Sequence, residues 1–236
     1  MEYRCERVCP GVHAFALWDS SWGSYNNCYL VDRGRGSILV DTGKAEHGDA
    51  LLRALARVGK RPEDITAVVL THGHRDHAGA AGLFAAPKLM HAADLFFLPG
   101  EVREGFTAGL PDRGRVLGWE CVLLGHHTPG SVALFDPESR VLFCGDHLCF
   151  FGQPFAAGAL VDEGEPLRQW AAAFVSEWAR NTTWRQDCGF DLYLTCLERL
   201  AKFAAEFLCT GHGGVLRGEI PRFLSGLALL GREQGG

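Results

Sequence analysis

The stretch Leu70-Thr71-His72-Gly73-His74-Arg75-Asp76-His77-Ala78-Gly79 packs three histidines and one aspartate into six residues, directly after the short apolar run Ala67–Leu70. In an extended turn, His72 and His74 are two apart and project to the same side. Asp76 and His77 then fall where a helix would begin. Gly73 and Gly79 let the backbone fold tightly there. Imidazole and carboxylate are ligands for zinc, iron, manganese or nickel. Four such groups converging at the mouth of a strand exceed the needs of one ion with an open position. The spacing therefore suggests two ions.

Two ions need more ligands, and the later chain offers them. They are His127 in Gly125-His126-His127-Thr128-Pro129-Gly130, Asp146 in Phe143-Cys144-Gly145-Asp146, and His212 in Cys209-Thr210-Gly211-His212-Gly213. Each follows a strand-like run and has a glycine close by, as expected of a strand-end loop approaching a site. His13, His47, His91, His126 and His147 lie outside this pattern and read as ordinary surface or core residues. Cys144 and Cys149 sit near Asp146 in sequence but read as small buried hydrophobes.

Outward from these motifs, the chain reads as short strands at Val12–Leu17, Asn27–Val31, Ser37–Val40, Ala67–Leu70, Lys88–His91, Cys121–Leu124, Val132–Phe135, Val141–Cys144 and Phe207–Cys209. Trp18–Asn26 reads as a Ser/Gly loop. Helical spacing appears around Leu51–Val58, ended by Gly59 and Pro62, and again near Ala92–Leu98, Pro166–Asn181, Asp191–Ala205 and Pro221–Leu230. Strands first, then strands and helices mixed, imply sheets covered by helices. No repeat, low-complexity tract or linker interrupts the 236 residues, so one domain spanning 1–236 is expected. A chain this long buries roughly 70–75% of its unfolded surface and needs no staples to fold.

Hydrophobic residues make up 47% and charged residues 22%, which argues against disorder or coiled coil for the bulk of the chain. The net charge is −5, with no dense basic run, so nucleic acid is not expected as a partner. No run of eighteen apolar residues appears, so no membrane span is expected. Met1–Pro10 is charged and lacks an apolar core, so no signal peptide is expected. Nine cysteines, none in a C-x-x-C pair, fit reduced thiols in a cytoplasmic protein rather than a disulfide framework or a structural zinc finger.

His-x-His-x-Asp-His, followed in order by His127, Asp146 and His212, resembles the metallo-β-lactamase superfamily, close to its glyoxalase II-like and lactonase-like hydrolases. Leu39-Val40-Asp41-Thr42-Gly43 matches the family's aspartate-bearing loop. The resemblance implies a four-layer αβ/βα sandwich, two mixed sheets face to face with helices outside and the metals at one edge. It implies that His72, His74 and His127 hold a first metal, that Asp76, His77 and His212 hold a second, and that Asp146 bridges both. Asp41 would stand behind them, orienting a ligand histidine or Asp76.

Some departures narrow the subfamily. Two-zinc β-lactamases generally lack the bridging aspartate. Glyoxalase II carries a helical C-terminal domain, and only 24 residues follow His212 here. Acyl-homoserine lactonases carry a tyrosine shortly after the bridging aspartate, where this chain has Cys149, Phe150 and Phe151. The tRNA-processing branch uses a basic surface or an RNA-gripping arm, and neither shows.

The implied activity is hydrolysis of an ester, thioester, lactone or phosphoester by a metal-bridging hydroxide, with Asp76 as the catalytic residue that orients the nucleophile and takes its proton. The cofactors would be two divalent ions, zinc foremost, with iron or manganese also suited to these ligands. An alternative implied by resemblance is a persulfide dioxygenase-like oxidoreductase with one iron on His72, His127 and Asp146. The aromatic-rich segment at about 150–190 is expected to be an insertion that roofs the pocket. Phe150, Phe151 and Phe155 would lie nearest the metals, and the small-molecule substrate would carry an apolar part. Trp170, Phe174 and Trp178 could instead form a homodimer contact.

Overall fold

A computed structural model describes residues 2–34, 36–155 and 158–235. The first half of the chain builds a seven-stranded sheet whose spatial order follows the sequence: β1 (Tyr3–Cys9), β2 (Val12–Asp19), β3 (Ser24–Asp32), β4 (Ser37–Val40), β5 (Ile65–Val69), β6 (Lys88–His91) and β7 (Phe106–Leu110). Strands β1 to β4 pair antiparallel, and β4 to β7 pair parallel. The second half builds another seven-stranded sheet from β8 (Arg113–Val116), β9 (Trp119–Leu123), β10 (Val132–Asp136), β11 (Val141–Gly145), β12 (Val161–Asp162), β13 (Phe207–Thr210) and β14 (Val215–Arg217). Its order is β12-β14-β13-β11-β10-β9-β8, and among the described residues the pairing is parallel at β11/β13 and β12/β14 and antiparallel elsewhere.

Side-chain alternation along the strands explains the layering. In β4, Ile38 and Val40 point between the sheets and Leu39 points outward. In β11, Val141 and Phe143 point between the sheets, while Leu142 and Cys144 point outward. The central strands β4, β10 and β11 are buried on both faces and read as short apolar runs. Helix α1 (Gly48–Arg57) covers the outer face of the first sheet with Ala50, Leu51, Ala54 and Leu55. Two one-turn helices, α2 (Arg75–Ala78) and α3 (Gly100–Arg103), lie on connections of the same half. The outer face of the second sheet is covered by α4 (Glu165–Arg180), α6 (Phe190–Leu200) and α7 (Ile220–Gln234), with the short α5 (Thr182–Asp187) between the first two. Three apolar clusters thus separate four layers, the arrangement that the family resemblance implies. Each buried leucine or valine in them contributes roughly 1.5–3 kcal/mol.

The 150–190 segment is placed differently from the expectation. Its helix α4 is a layer of the sandwich: Leu167, Ala171, Val175 and Trp178 are buried against the second sheet. Trp178 is 8% exposed, which removes it from any dimer contact, while Phe174 remains 38% exposed. Strands β1, β7, β8, β12 and β14 had no clear apolar signature, because they lie at or near sheet edges and carry charged or small residues. The stretch Ala92–Leu98 is a 3-10 helix over Ala92–Phe97. Among the described residues, no helix is long and apolar enough to cross a membrane.

The connections that leave the C-terminal ends of β5, β9, β11 and β13 all emerge at one edge of the sandwich. Two backbone bonds tie the sheets together there. Val132 N donates to Thr71 O at 2.9 Å, and Asn27 N donates to Gly211 O at 2.8 Å.

Candidate metal centre

Two clusters of ligand atoms meet at that edge. His72, His74 and His127 form one, and Asp76, His77, Asp146 and His212 form the other, with the ligand atoms of each within 4.8 Å of one another. The first draws on both sheets, since His72 and His74 follow β5 and His127 follows β9. His74 Nδ1 lies 3.2 Å from His72 Nε2 and 3.0 Å from His127 Nε2. Three imidazole nitrogens aimed at one point cannot all be satisfied by one another's lone pairs. A shared cation satisfies all three.

The second cluster is more buried and more acidic. Asp76 Oδ2 lies 3.3 Å from both His77 Nε2 and His212 Nε2. Asp146 stands between the clusters. Its Oδ2 is 3.2 Å from His212 Nε2, 3.4 Å from His127 Nε2 and 3.9 Å from His72 Nε2, and its Oδ1 is 3.4 Å from His77 Nε2. His77 Nε2 and Asp146 Oδ1 are buried without a hydrogen-bond partner. Buried polar atoms left without a partner are costly, and a divalent ion between them would remove that cost. The donor set therefore fits two cations, and all seven residues named from the sequence come together.

The far ring nitrogens are fixed from behind. His77 Nδ1 donates to Asp41 Oδ2 at 2.9 Å, and His212 Nδ1 donates to the Tyr25 carbonyl at 3.0 Å. Both contacts leave Nε2 free to face the centre. Asp41 also accepts from Thr71 N and Thr71 Oγ1, each at 2.8 Å. It touches His77 rather than Asp76.

Electrostatics follow from burial and charge. Burial, with His77 beside it, holds His72 well below the ordinary imidazole range. Burial likewise lowers His127. Burial opposes the charge on Asp146, but His77 and His212 outweigh it and hold its carboxyl well below the usual range. Burial also works against a charged His212, yet Asp146 and Asp76 lift it to about 9. His77 is raised in the same way by Asp146 and Asp41. Burial pushes the Cys144 thiol up to about 12 and raises Cys149 as well, so neither is a nucleophile at neutral pH.

The expected roof residues separate. Phe151 is 41% exposed, with its ring centroid 5.1 Å from that of His212. Phe150 is wholly buried against Trp170 in the outer core of the second sheet. Its side chain is therefore not available to a substrate. Phe155 packs on Tyr25 at 4.8 Å beneath the Arg4 guanidinium, at the margin of the inter-sheet core. Two aromatics missing from the sequence reading also stand beside the ligand histidines. Trp22 sits 6.3 Å from His212 and 5.7 Å from Phe151, and Phe97 sits 5.1 Å from His74. Trp22 lies in the tight turn between β2 and β3, where it caps the buried Lys44 ammonium at 3.4 Å. The sequence signal was a tryptophan in an otherwise Ser/Gly loop.

Phe151→Ala is expected to raise KM for bulky apolar substrates with metal content unchanged. Phe150→Ala is expected to cost about 3–5 kcal/mol of stability in denaturant unfolding, as large buried aromatics do, with little effect on substrate preference. The reverse pattern would place Phe150 in the pocket.

The sequence profile of the metallo-beta-lactamase superfamily matches residues 22–212. Metallo-beta-lactamase domain-containing protein 1 of Rattus norvegicus is 56% identical over 71 residues, which are 30% of this chain and 28% of that protein. The rubredoxin-oxygen oxidoreductase of Megalodesulfovibrio gigas is 29% identical over 230 residues, covering 87% of this chain and 52% of that protein. The chain thus spans about a quarter to a half of these relatives. Among solved structures, a flavoprotein of Thermotoga maritima superposes with a TM-score of 0.75 at 18% identity, over 96% of this chain and 60% of that one. Profile, fold and constellation agree: the chain belongs to the metallo-beta-lactamase superfamily.

Proposed function

We propose that the protein is a dinuclear metal-dependent hydrolase acting on an ester, thioester, lactone or phosphoester of a small molecule with an apolar part. The observation that carries this reading is the Asp146 carboxylate, whose Oδ2 faces His127 and His72 of one cluster and His212 of the other while its Oδ1 faces His77. His72, His74 and His127 would hold one ion, and Asp76, His77 and His212 the second. The hydroxyacylglutathione hydrolase of Haemophilus influenzae, 30% identical over 52% of this chain, supports hydrolysis of this kind. A bound pair of divalent ions supplies Lewis acidity and brings the pKa of a water to about 7.

The remaining work falls to this chain's residues. Asp76, kept ionised because His212 and His77 outweigh its burial, would orient the attacking water by accepting a hydrogen bond from it. Asp41 holds the His77 ring in one tautomer. Phe151 and Trp22 give an apolar wall beside His212 against which a substrate tail can lie.

Elemental analysis of purified protein, followed by turnover of a panel of thioesters, lactones and phosphodiesters with and without oxygen, tests the reading. Two ions per chain and oxygen-independent turnover are expected. One iron per chain with oxygen uptake would overturn it and favour the oxidoreductase that His72, His127 and Asp146 could also support.

A further inference from the structure

Asp94 has no part in either ligand cluster, yet it is wholly buried at the metal edge, on the 3-10 helix after β6. Its carboxylate accepts three hydrogen bonds from the two loops that carry the histidine triad. Gly73 N donates to Oδ2 at 2.8 Å, Thr128 Oγ1 to Oδ2 at 2.6 Å, and Gly130 N to Oδ1 at 2.6 Å. Gly73 lies between His72 and His74, and Thr128 follows His127. These loops belong to different sheets, so one carboxylate joins them across the sandwich.

The approach is close enough to dictate the neighbouring residues. A Cβ on Gly73 would stand 2.8 Å from the Asp94 carbonyl oxygen, and one on Gly130 would stand 2.6 Å from Asp94 Cγ. Both glycines are needed for the clasp. His127 is held at φ 66°, a left-handed conformation that a non-glycine residue keeps only when its surroundings over-determine it. The Asp94 bonds to Thr128 and Gly130, with the Thr128 Oγ1–Ser131 Oγ contact at 2.7 Å, supply that restraint.

We infer that Asp94 is a positioning residue for the triad His72, His74 and His127, and that it sets the affinity of the ion held there without touching it. The inference rests on the ligand reading given above. Asp41 stands behind His77 and, through Thr71, behind His72, whereas Asp94 ties the loops that carry His74 and His127. An asparagine cannot replace Asp94, because its NH2 group must face either the Gly130 N–H or the Gly73 N–H.

Zinc titration of the full chain, followed through the ring 1H–15N signals of each histidine, tests this. In Asp94→Asn, zinc affinity reported by His74 and His127 is expected to fall roughly 10–100-fold, the usual size for a partner behind a ligand, while that reported by His77 stays near wild type. Thr128→Ala should give a smaller loss at the same histidines, and Thr128→Ser should retain affinity. A merely structural role would lower the unfolding temperature and leave the triad's affinity intact, and that result overturns the inference. So does an equal loss at both clusters. If the wild-type triad signals do not respond to zinc, the ligand reading itself fails and takes this inference with it.

Discussion

Asp146→Ala is expected to lose both metal ions and nearly all activity. One side chain faces four ligand histidines, so its removal takes a charge and an oxygen from both clusters at once. The loss should exceed the roughly 10–100-fold seen when only a supporting partner is removed. It should also change the pH dependence of metal uptake. In the metal-free chain, His212 is lifted to about 9 against the opposing effect of burial, with Asp146 the main cause. His77 is raised as well, so at neutral pH an incoming ion is expected to displace protons from both histidines, and affinity to rise with pH. Without Asp146 those protons are held less tightly, and the dependence should flatten while affinity falls. Competition titration with zinc or manganese at several pH values reads both effects. Two ions bound as tightly as in wild type would sink the bridging assignment.

What could be read from the sequence depended on how local the physics was. His72, His74, Asp76 and His77 declare themselves because one strand-end turn holds all four. His127, Asp146 and His212 are legible because each follows an apolar run and lies beside a glycine. The central strands were legible too: Ser37–Val40 and Lys88–His91 have the expected bounds, since each carries a short apolar run, Ile38–Val40 in one and Leu89–Met90 in the other. The edges were not, because Arg4, Glu6 and Arg7 break up the apolar residues of Tyr3–Cys9 along a partly buried strand. Burial of aromatics was the weakest inference. Phe150 and Phe151 are neighbours with opposite fates, one in the core and one beside His212. Adjacent residues in an irregular connection point apart, and no periodicity says which way. Asp94 was invisible for a different reason. Its partners are two backbone amides and a hydroxyl brought together only by the packing of the two sheets.

Asp41→Ala should be the next most damaging change although Asp41 is not among the ligand clusters. Asp41 is buried and takes three hydrogen bonds, from Thr71 N, Thr71 Oγ1 and His77 Nδ1. It occupies φ 56°, so the turn after β4 is shaped to present its carboxylate at that point. Without it, nothing among these contacts selects the His77 tautomer whose Nε2 lone pair faces Asp76 and Asp146. His77 also loses one of the carboxylates that favour its protonation, Asp146 being the strongest of them. The Thr71 amide, next to His72, is left without its acceptor, which costs about 1–3 kcal/mol for a buried donor. Metal affinity or activity is expected to fall roughly 10–100-fold, with the loss centred on the His77 cluster and unfolding at lower denaturant. Asp41→Asn separates tautomer control from turn formation. It keeps the size and the turn chemistry but cannot accept from every donor now present. If Asp41→Asn binds metal like wild type, the residue is a turn former and the His77 contact is incidental. If it loses affinity while unfolding near the wild-type midpoint, the carboxylate acts through the histidine.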